Sequence, residues 1–220
     1  MEPIPIPADP FNVIITGVGG QGNVMASRTM ARMLVKQGFH VTIGETFGMS
    51  QRGGSVMSHI RISAAGMWSP QIPRGRAHAV IALEPLEALR VLQTYGNPEV
   101  MVLTNTRPAH HMGSVKADLA YPGPEVMRRL LAYLSGKVWM IDATDAAVQM
   151  GNPILANIVM IGAYSAAGNL PMGRAVFEDV IGETFSSDRV AVNLQAFDCG
   201  ISQIREGSRD RRGKYSIDRR

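Results

Sequence analysis

Phe11-Asn12-Val13-Ile14-Ile15-Thr16-Gly17-Val18-Gly19-Gly20-Gln21-Gly22 is the stretch on which the fold turns. Its first six residues are a short apolar run of the kind that forms a buried strand. Gly17, Gly19 and Gly22 then spell G-x-G-x-x-G. Asn23 to Gln37 follows, with Val24, Met25, Ala31, Leu34 and Val35 at approximately helical spacing. Gly38 marks the stop, and His40-Val41-Thr42-Ile43-Gly44 returns as a second strand. Strand, glycine turn, helix and strand make a βαβ unit, expected to cross over right-handed.

The same alternation continues outward. Residues 45–54, Glu-Thr-Phe-Gly-Met-Ser-Gln-Arg-Gly-Gly, form a second glycine-rich loop. In Ser55 to Ile62, Val56, Ser58 and Ile60 alternate with Met57, His59 and Arg61, which predicts a strand with one face less buried than the other. Residues 63–76 read as a surface excursion. Ala77–Leu83, Val100–Leu103 and Val138–Ile141 read as strands. Glu84–Leu92, with Pro85 in its first turn, and Pro124–Leu134 read as helices. Asp142 to Met150 is a short helix with Asp142 at its cap. Residues 105–123 look irregular. From Ile154 to Ala167 the chain is nearly all apolar, a buried helix too short to span a bilayer, and helices near Gly173–Phe185 and Asp188–Ile204 complete a last, helical third. The pattern predicts a three-layer, Rossmann-like open α/β sheet, mostly parallel, with a C-terminal helical layer. Residues 1–10, with Pro3, Pro5, Pro7 and Pro10, are expected as an extended leader. Residues 11–204 are expected as one domain and 205–220 as a basic tail.

Composition narrows the class. Of the 220 residues, 45% are hydrophobic and 18% charged, enough for a sizeable core and too apolar for wholesale disorder. The single cysteine, Cys199, excludes a disulfide framework, a Cys-ligated zinc site and a self-contained iron–sulfur cluster. It fits a reducing compartment. No apolar run reaches the roughly 20 residues of a membrane span, and the N-terminal residues lack the basic and apolar regions of a secretory signal. A cytoplasmic protein without membrane contact is expected. Residues 205–220 carry seven Lys/Arg against three acids, which accounts for the whole net charge of +4. The basic character belongs to a tail suited to partner docking, and nucleic-acid binding is not expected.

Glycines in the first turn let the chain bend sharply and bring backbone N–H groups close to a ligand, while the opening helix adds a dipole suited to phosphate. The same glycines also serve a purely structural turn. Glu45, at the end of the second strand, stands where a dinucleotide fold binds ribose hydroxyls, so a stand-alone NAD- or FAD-dependent oxidoreductase is one reading and a non-enzymatic nucleotide-binding module another. In the second loop Gly53 and Gly54 permit close backbone approach. Arg52 offers a planar cation, and Ser50, Gln51 and Ser55 add neutral hydrogen-bonding groups. In an open sheet both loops leave the carboxyl ends of strands and open onto one crevice.

G-V-G-G-Q-G at 17–22, followed by F-G-M-S-Q-R-G-G-S-V-x-S-H-I-R at 47–61, resembles the gamma-type domain of 2-oxoacid:ferredoxin oxidoreductases. Within that group it is most similar to the beta subunit of the indolepyruvate enzymes. The likeness runs through Val138–Thr144 and Gly151–Ala163 and covers roughly residues 11–185. It implies a subunit that is inactive alone. Thiamine diphosphate and iron–sulfur clusters would sit in a partner subunit, electrons would leave to ferredoxin, and the acyl group would pass to coenzyme A. It further implies that Gly17, Gly19, Gly20, Gln21 and Gly22 cradle coenzyme A phosphate, that Ser50, Gln51, Arg52, Gly53 and Gly54 complete the clamp, and that Asn157 faces the same crevice. A core asparagine tying down a loop is an equal reading of Asn157. No catalytic residue is assigned.

Other chemistry-bearing residues read as structural. Adjacent histidines such as His110-His111 point to opposite faces of an extended chain, so no metal site is expected there. His59 is expected to be a hydrogen-bonded structural histidine, and Cys199 a buried, inert thiol. Asp142 and Asp145 stand where helix starts favour acids.

Overall fold

The computed structural model describes residues 5–47, 54–109, 121–168, 170–209 and 216–218. Among the described residues seven strands form one sheet: β1 (Phe11–Val18), β2 (His40–Phe47), β3 (Ser55–Ser63), β4 (Ala79–Ala82), β5 (Met101–Asn105), β6 (Lys137–Ile141) and β7 (Ser216–Asp218), in the order β2-β3-β1-β4-β5-β6-β7. β1, β4, β5 and β6 pair in parallel, whereas β3 runs antiparallel to both β1 and β2, and β7 antiparallel to β6. The helices are α1 (Asn23–Lys36), α2 (Pro85–Tyr95), α3 (Pro124–Leu134), α4 (Ala143–Gln149), α5 (Ala156–Ala167), α6 (Arg174–Gly182) and α7 (Ser187–Arg209), with a 3₁₀ turn at Pro153–Leu155.

Alternation along the strands builds the three layers. Val13 and Ile15 of β1, Ile60 and Ile62 of β3, and Ile81 of β4 pack in one cluster with Met30, Met33 and Leu34 of α1 and the apolar face of α5 to α7. Ile14, Val80, Val102, Val138 and Met140 point the other way, onto Ala88, Leu89 and Leu92 of α2 and Met127 and Leu131 of α3. The predicted helical layer is present, and α7 continues to Arg209, past the expected domain end at 204.

Three expectations are corrected. First, β1 and β2 are not neighbours, because β3 inserts between them and the unit is a split βαβ. The second glycine loop is therefore the connection of a β2–β3 hairpin. Second, β3 is covered on both faces, with His59 3% and Arg61 7% exposed. The excursion after β3 folds back over the sheet: Ile72, itself buried, donates its N–H to His59 Nδ1 at 3.2 Å, and Arg61 donates to Asn12 Oδ1 at 3.1 Å and Ser69 O at 3.1 Å. His59 and Arg61 reach the interior because each finds a partner. Third, Asp142 stands at the N-cap of α4 as expected, but its carboxylate makes no capping bond; it accepts from Thr106 Oγ1 at 2.7 Å and so ties β5 to β6.

Candidate functional site

The carboxyl ends of β1, β2, β4, β5 and β6 share one edge with the start of β3, where the crevice of an open sheet lies. The first glycine turn crosses this edge. Gly20 and Gly22 have φ of 104° and 84°, a region that favours glycine, and Gly22 sits at the N-cap of α1. Gly17 needs its glycine for another reason: a Cβ there would lie 2.6 Å from Gln21 Oε1 and 3.0 Å from Leu83 Cβ.

Internal bonds fix which amides face outward. Gln21 Oε1 accepts from Val18 N–H at 2.7 Å, Gln21 Nε2 donates to Leu83 O at 3.1 Å, and Gln21 N–H returns to Val18 O at 3.1 Å. Gln21 thus pins the turn to the end of β4. Gly19 N–H donates to Gly54 O at 2.8 Å, which brings the end of the second glycine loop against the first. The first α1 amide with a bond to the turn is Ala26, to Gly22 O at 2.9 Å, so among the described residues the N–H groups of Asn23, Val24 and Met25 are the open donors of the helix start. A cavity of about 400 Å³ lies beside them, lined by Gly19, Gly20, Gly22, Asn23, Val24, Val56 and Ile154. Ile154 also borders an apolar groove of about 350 Å³ with Met25, Asn157, Phe185 and Arg189. A larger cavity, about 800 Å³, opens at the opposite, amino end of the strands beside Phe11, His78 and Lys137, away from the first glycine turn.

Asn157 links helix α5 to the turn. It is 1% exposed, its Nδ2 donates to Gly22 O at 3.3 Å, and its Oδ1 has no partner among the described residues. A side chain on Gly22 would meet Asn157 Nδ2 at 2.2 Å. The bond to Gly22 O ties α5 to the loop, and Asn157 also borders the apolar groove beside Ile154. The side-chain oxygen of Asn23, 3% exposed, is likewise without a partner among the described residues. Orphaned buried acceptors beside a cavity fit a ligand that brings its own N–H or O–H groups.

Glu45 stands apart from this cluster. It lies on β2, two strands from β1, and faces α1, where Arg28 Nε approaches its carboxylate at 3.7 Å. A dinucleotide fold needs that acid on the strand adjacent to the glycine turn; the insertion of β3 takes it about 10 Å away across two strand spacings. Of the second loop, Gly54 and Ser55 are in place at the turn. Ser50, Gln51, Arg52 and Gly53 lie outside the described residues, as do His110 and His111. His59 is structural, its ionisation held below the ordinary histidine range by burial. Cys199 is half-buried rather than buried, and accepts from Gln203 Nε2 at 3.7 Å.

Sequence reasoning missed two acids at this edge. Glu84 and Glu87, at the start of α2, are both fully buried. Glu84 accepts from Glu87 N–H at 2.8 Å and from the Tyr121 hydroxyl at 2.6 Å. Glu87 accepts from Ser55 Oγ at 2.5 Å and from Arg90 at 2.6 Å. Burial, with the Glu84 carboxylate next, pushes the Tyr121 hydroxyl above the ordinary tyrosine range, so it remains a donor. The signal was available: acids three apart around Pro85 fit a helix start, but only one is needed for the cap.

A glycine turn that opens a helix at the carboxyl edge of an α/β sheet is an arrangement suited to anions. The model of the pyruvate ferredoxin/flavodoxin oxidoreductase family matches residues 12–203, and the chain belongs to that family. It is 34% identical over 197 residues to the indolepyruvate oxidoreductase subunit IorB of Pyrococcus horikoshii, covering 89% of this chain and 96% of that one. Among solved structures it is similar in fold to the gamma subunit of a keto/oxoacid ferredoxin oxidoreductase from Geobacter sulfurreducens (TM-score 0.62, 21% identity, 89% of this chain and 99% of that one). It is similar also to the 2-oxoglutarate:ferredoxin oxidoreductase of Magnetococcus marinus, solved with 2-oxoglutarate, coenzyme A and succinyl-CoA bound (TM-score 0.71, 18% identity), where it matches 90% of this chain and 32% of the longer one.

Proposed function

We propose that this subunit of a 2-oxoacid ferredoxin oxidoreductase serves the coenzyme A side of an arylpyruvate-type, indolepyruvate-like enzyme and anchors coenzyme A by its phosphates. The thiamine diphosphate and iron–sulfur clusters belong to a partner subunit, ferredoxin receives the electrons through that partner, and the cytoplasm is the setting. Support comes from family membership, the relatives named above and one observation in particular: Gly19 N–H bonded to Gly54 O at 2.8 Å, which joins both glycine loops at the edge where the amides of α1 open.

In this reading the amides of Gly20, Gly22, Asn23 and Val24 receive pyrophosphate oxygens, helped by the α1 dipole. Arg52 supplies the counter-charge from the second loop. The apolar groove beside Ile154 and Phe185 takes the neutral arm, with Asn157 Oδ1 accepting one of its N–H groups. The chain orients the thiol carrier at a site built with the partner and shields it from water; it performs no bond-making step alone.

The NAD or FAD alternative is disfavoured by Glu45, which pairs with Arg28 two strands from the turn. Calorimetric titration of the assembled complex with coenzyme A, NAD and FAD tests the choice. Saturable coenzyme A binding without competition from NAD or FAD is expected. Preferential NAD or FAD binding, or oxidation of a 2-oxoacid by this chain unaided, contradicts the proposal.

A further inference from the structure

We infer that Glu87 is a positioning residue for the coenzyme A turn, acting through Ser55 and Gly54; the inference rests on the reading of that turn given above. A carboxylate with no exposed surface is costly unless each oxygen is matched. Glu87 meets that condition with the Ser55 hydroxyl at 2.5 Å on Oε2 and Arg90 at 2.6 Å on Oε1. The start of α2 does not require it, because Glu84 already caps the helix by accepting Glu87 N–H.

What Glu87 holds is the first residue of β3. Ser55 stands opposite Val18 in the β1–β3 ladder, and the residue before it, Gly54, presents the carbonyl that takes Gly19 N–H. The turn is thereby braced from two sides. Gln21 anchors it to Leu83 O at the end of β4, one residue before Glu84, and the Glu87–Ser55–Gly54 chain anchors it from β3. These braces consume the amides of Val18, Gly19 and Gln21; the amides of Asn23, Val24 and Met25 at the start of α1 have no bond to the turn among the described residues, and they stand beside the cavity that Gly20, Gly22, Asn23 and Val24 line. Ser55, whose hydroxyl is given to Glu87, is part of the brace and not a ligand contact. Releasing the β3 brace misaligns the open amides, and a misplaced donor set weakens the ligand it serves without touching another substrate.

The test is steady-state kinetics of the complete complex carrying Ser55→Ala, Ser55→Thr or Glu87→Gln. Ser55→Ala removes only the hydroxyl and is expected to raise KM for coenzyme A about tenfold, the loss of one hydrogen bond to a charged group. KM for the 2-oxoacid should not change. Ser55→Thr restores the hydroxyl and should return KM for coenzyme A to within about twofold of wild type. Glu87→Gln, which keeps an acceptor but loses the charge, should fall between. An unchanged KM for coenzyme A in Ser55→Ala, or an equal rise for both substrates, overturns the inference while leaving coenzyme A binding by the turn intact. A wild-type complex that does not saturate with coenzyme A overturns the underlying reading and this inference with it.

Discussion

Two sets of glycines in this chain are used in opposite ways. In the first turn, Gly20 has φ 104° and a Cβ added there would meet nothing within 4 Å. Where helices α5 and α7 cross, Gly162 and Gly200 face filled space: an added Cβ would lie 2.0 Å from Phe197 O and 2.0 Å from Val159 O, respectively. The turn uses glycine for a backbone conformation that leaves amides open. The crossing uses it to bring two helix backbones into contact, in a core that also holds the stacked rings of Phe177 and Phe197, 4.3 Å apart. Gly20 is thus read by its positive φ, and Gly162 and Gly200 by the neighbouring backbone that their missing side chains would meet.

Substitution separates the two uses, and the helix crossing should give the largest effect. Gly200→Ala is expected to destabilise the fold by about 3 kcal/mol, because backbone atoms cannot yield as a side-chain end can. That corresponds to a fall in Tm of roughly 10 °C for a chain of this size. Thermal melting checks it, and a Tm within two degrees of wild type breaks the comparison. Gly22→Ala comes next, since it combines positive φ with a collision at Asn157. About 2 kcal/mol of stability should be lost, with coenzyme A affinity of the complex down more than tenfold by calorimetry.

Gly20→Ala sharpens the contrast. Only the backbone conformation is penalised, by about 1 kcal/mol, so Tm should move by a few degrees at most. Its coenzyme A affinity should nevertheless fall, and a normal affinity would remove Gly20 from the ligand edge.

The smallest effect concerns pH. Burial lowers the ionisation of His59, and burial with the Arg76 charge lowers that of His78. The unfolded chain therefore binds protons at these sites more readily than the folded one. Their contribution is complete above the ordinary histidine pKa of about 6.5 and is lost as pH falls below it. Denaturant melts between pH 7.5 and 5 should show this decline, reduced in His59→Gln. An identical slope in the variant would remove His59 from the account.

Much of this was legible in the sequence because it is local. The β1 run, the turn and α1 follow from adjacent residues, and α3 begins and ends at the predicted Pro124 and Leu134. The position of β3 was not legible, since strand order depends on pairing between Phe11–Val18 and Ser55–Ile62, far apart in the chain. That one insertion decides that Glu45 is remote from the turn. Burial of polar groups was equally hidden: Arg61 and Glu87 look like surface residues until their partners, Asn12 and Ser55, are brought in from elsewhere. Placing Gly54 against Gly19 likewise required the hairpin to fold back.

A structure of this subunit bound to its partner and coenzyme A tests the central claim most directly. The account expects pyrophosphate oxygens within hydrogen-bonding distance, about 3 Å, of the amides of Gly20, Gly22, Asn23 or Val24, with the neutral arm beside Ile154. Coenzyme A lodged on the partner alone, or in the cavity at the amino ends of the strands near Phe11 and His78, would contradict it.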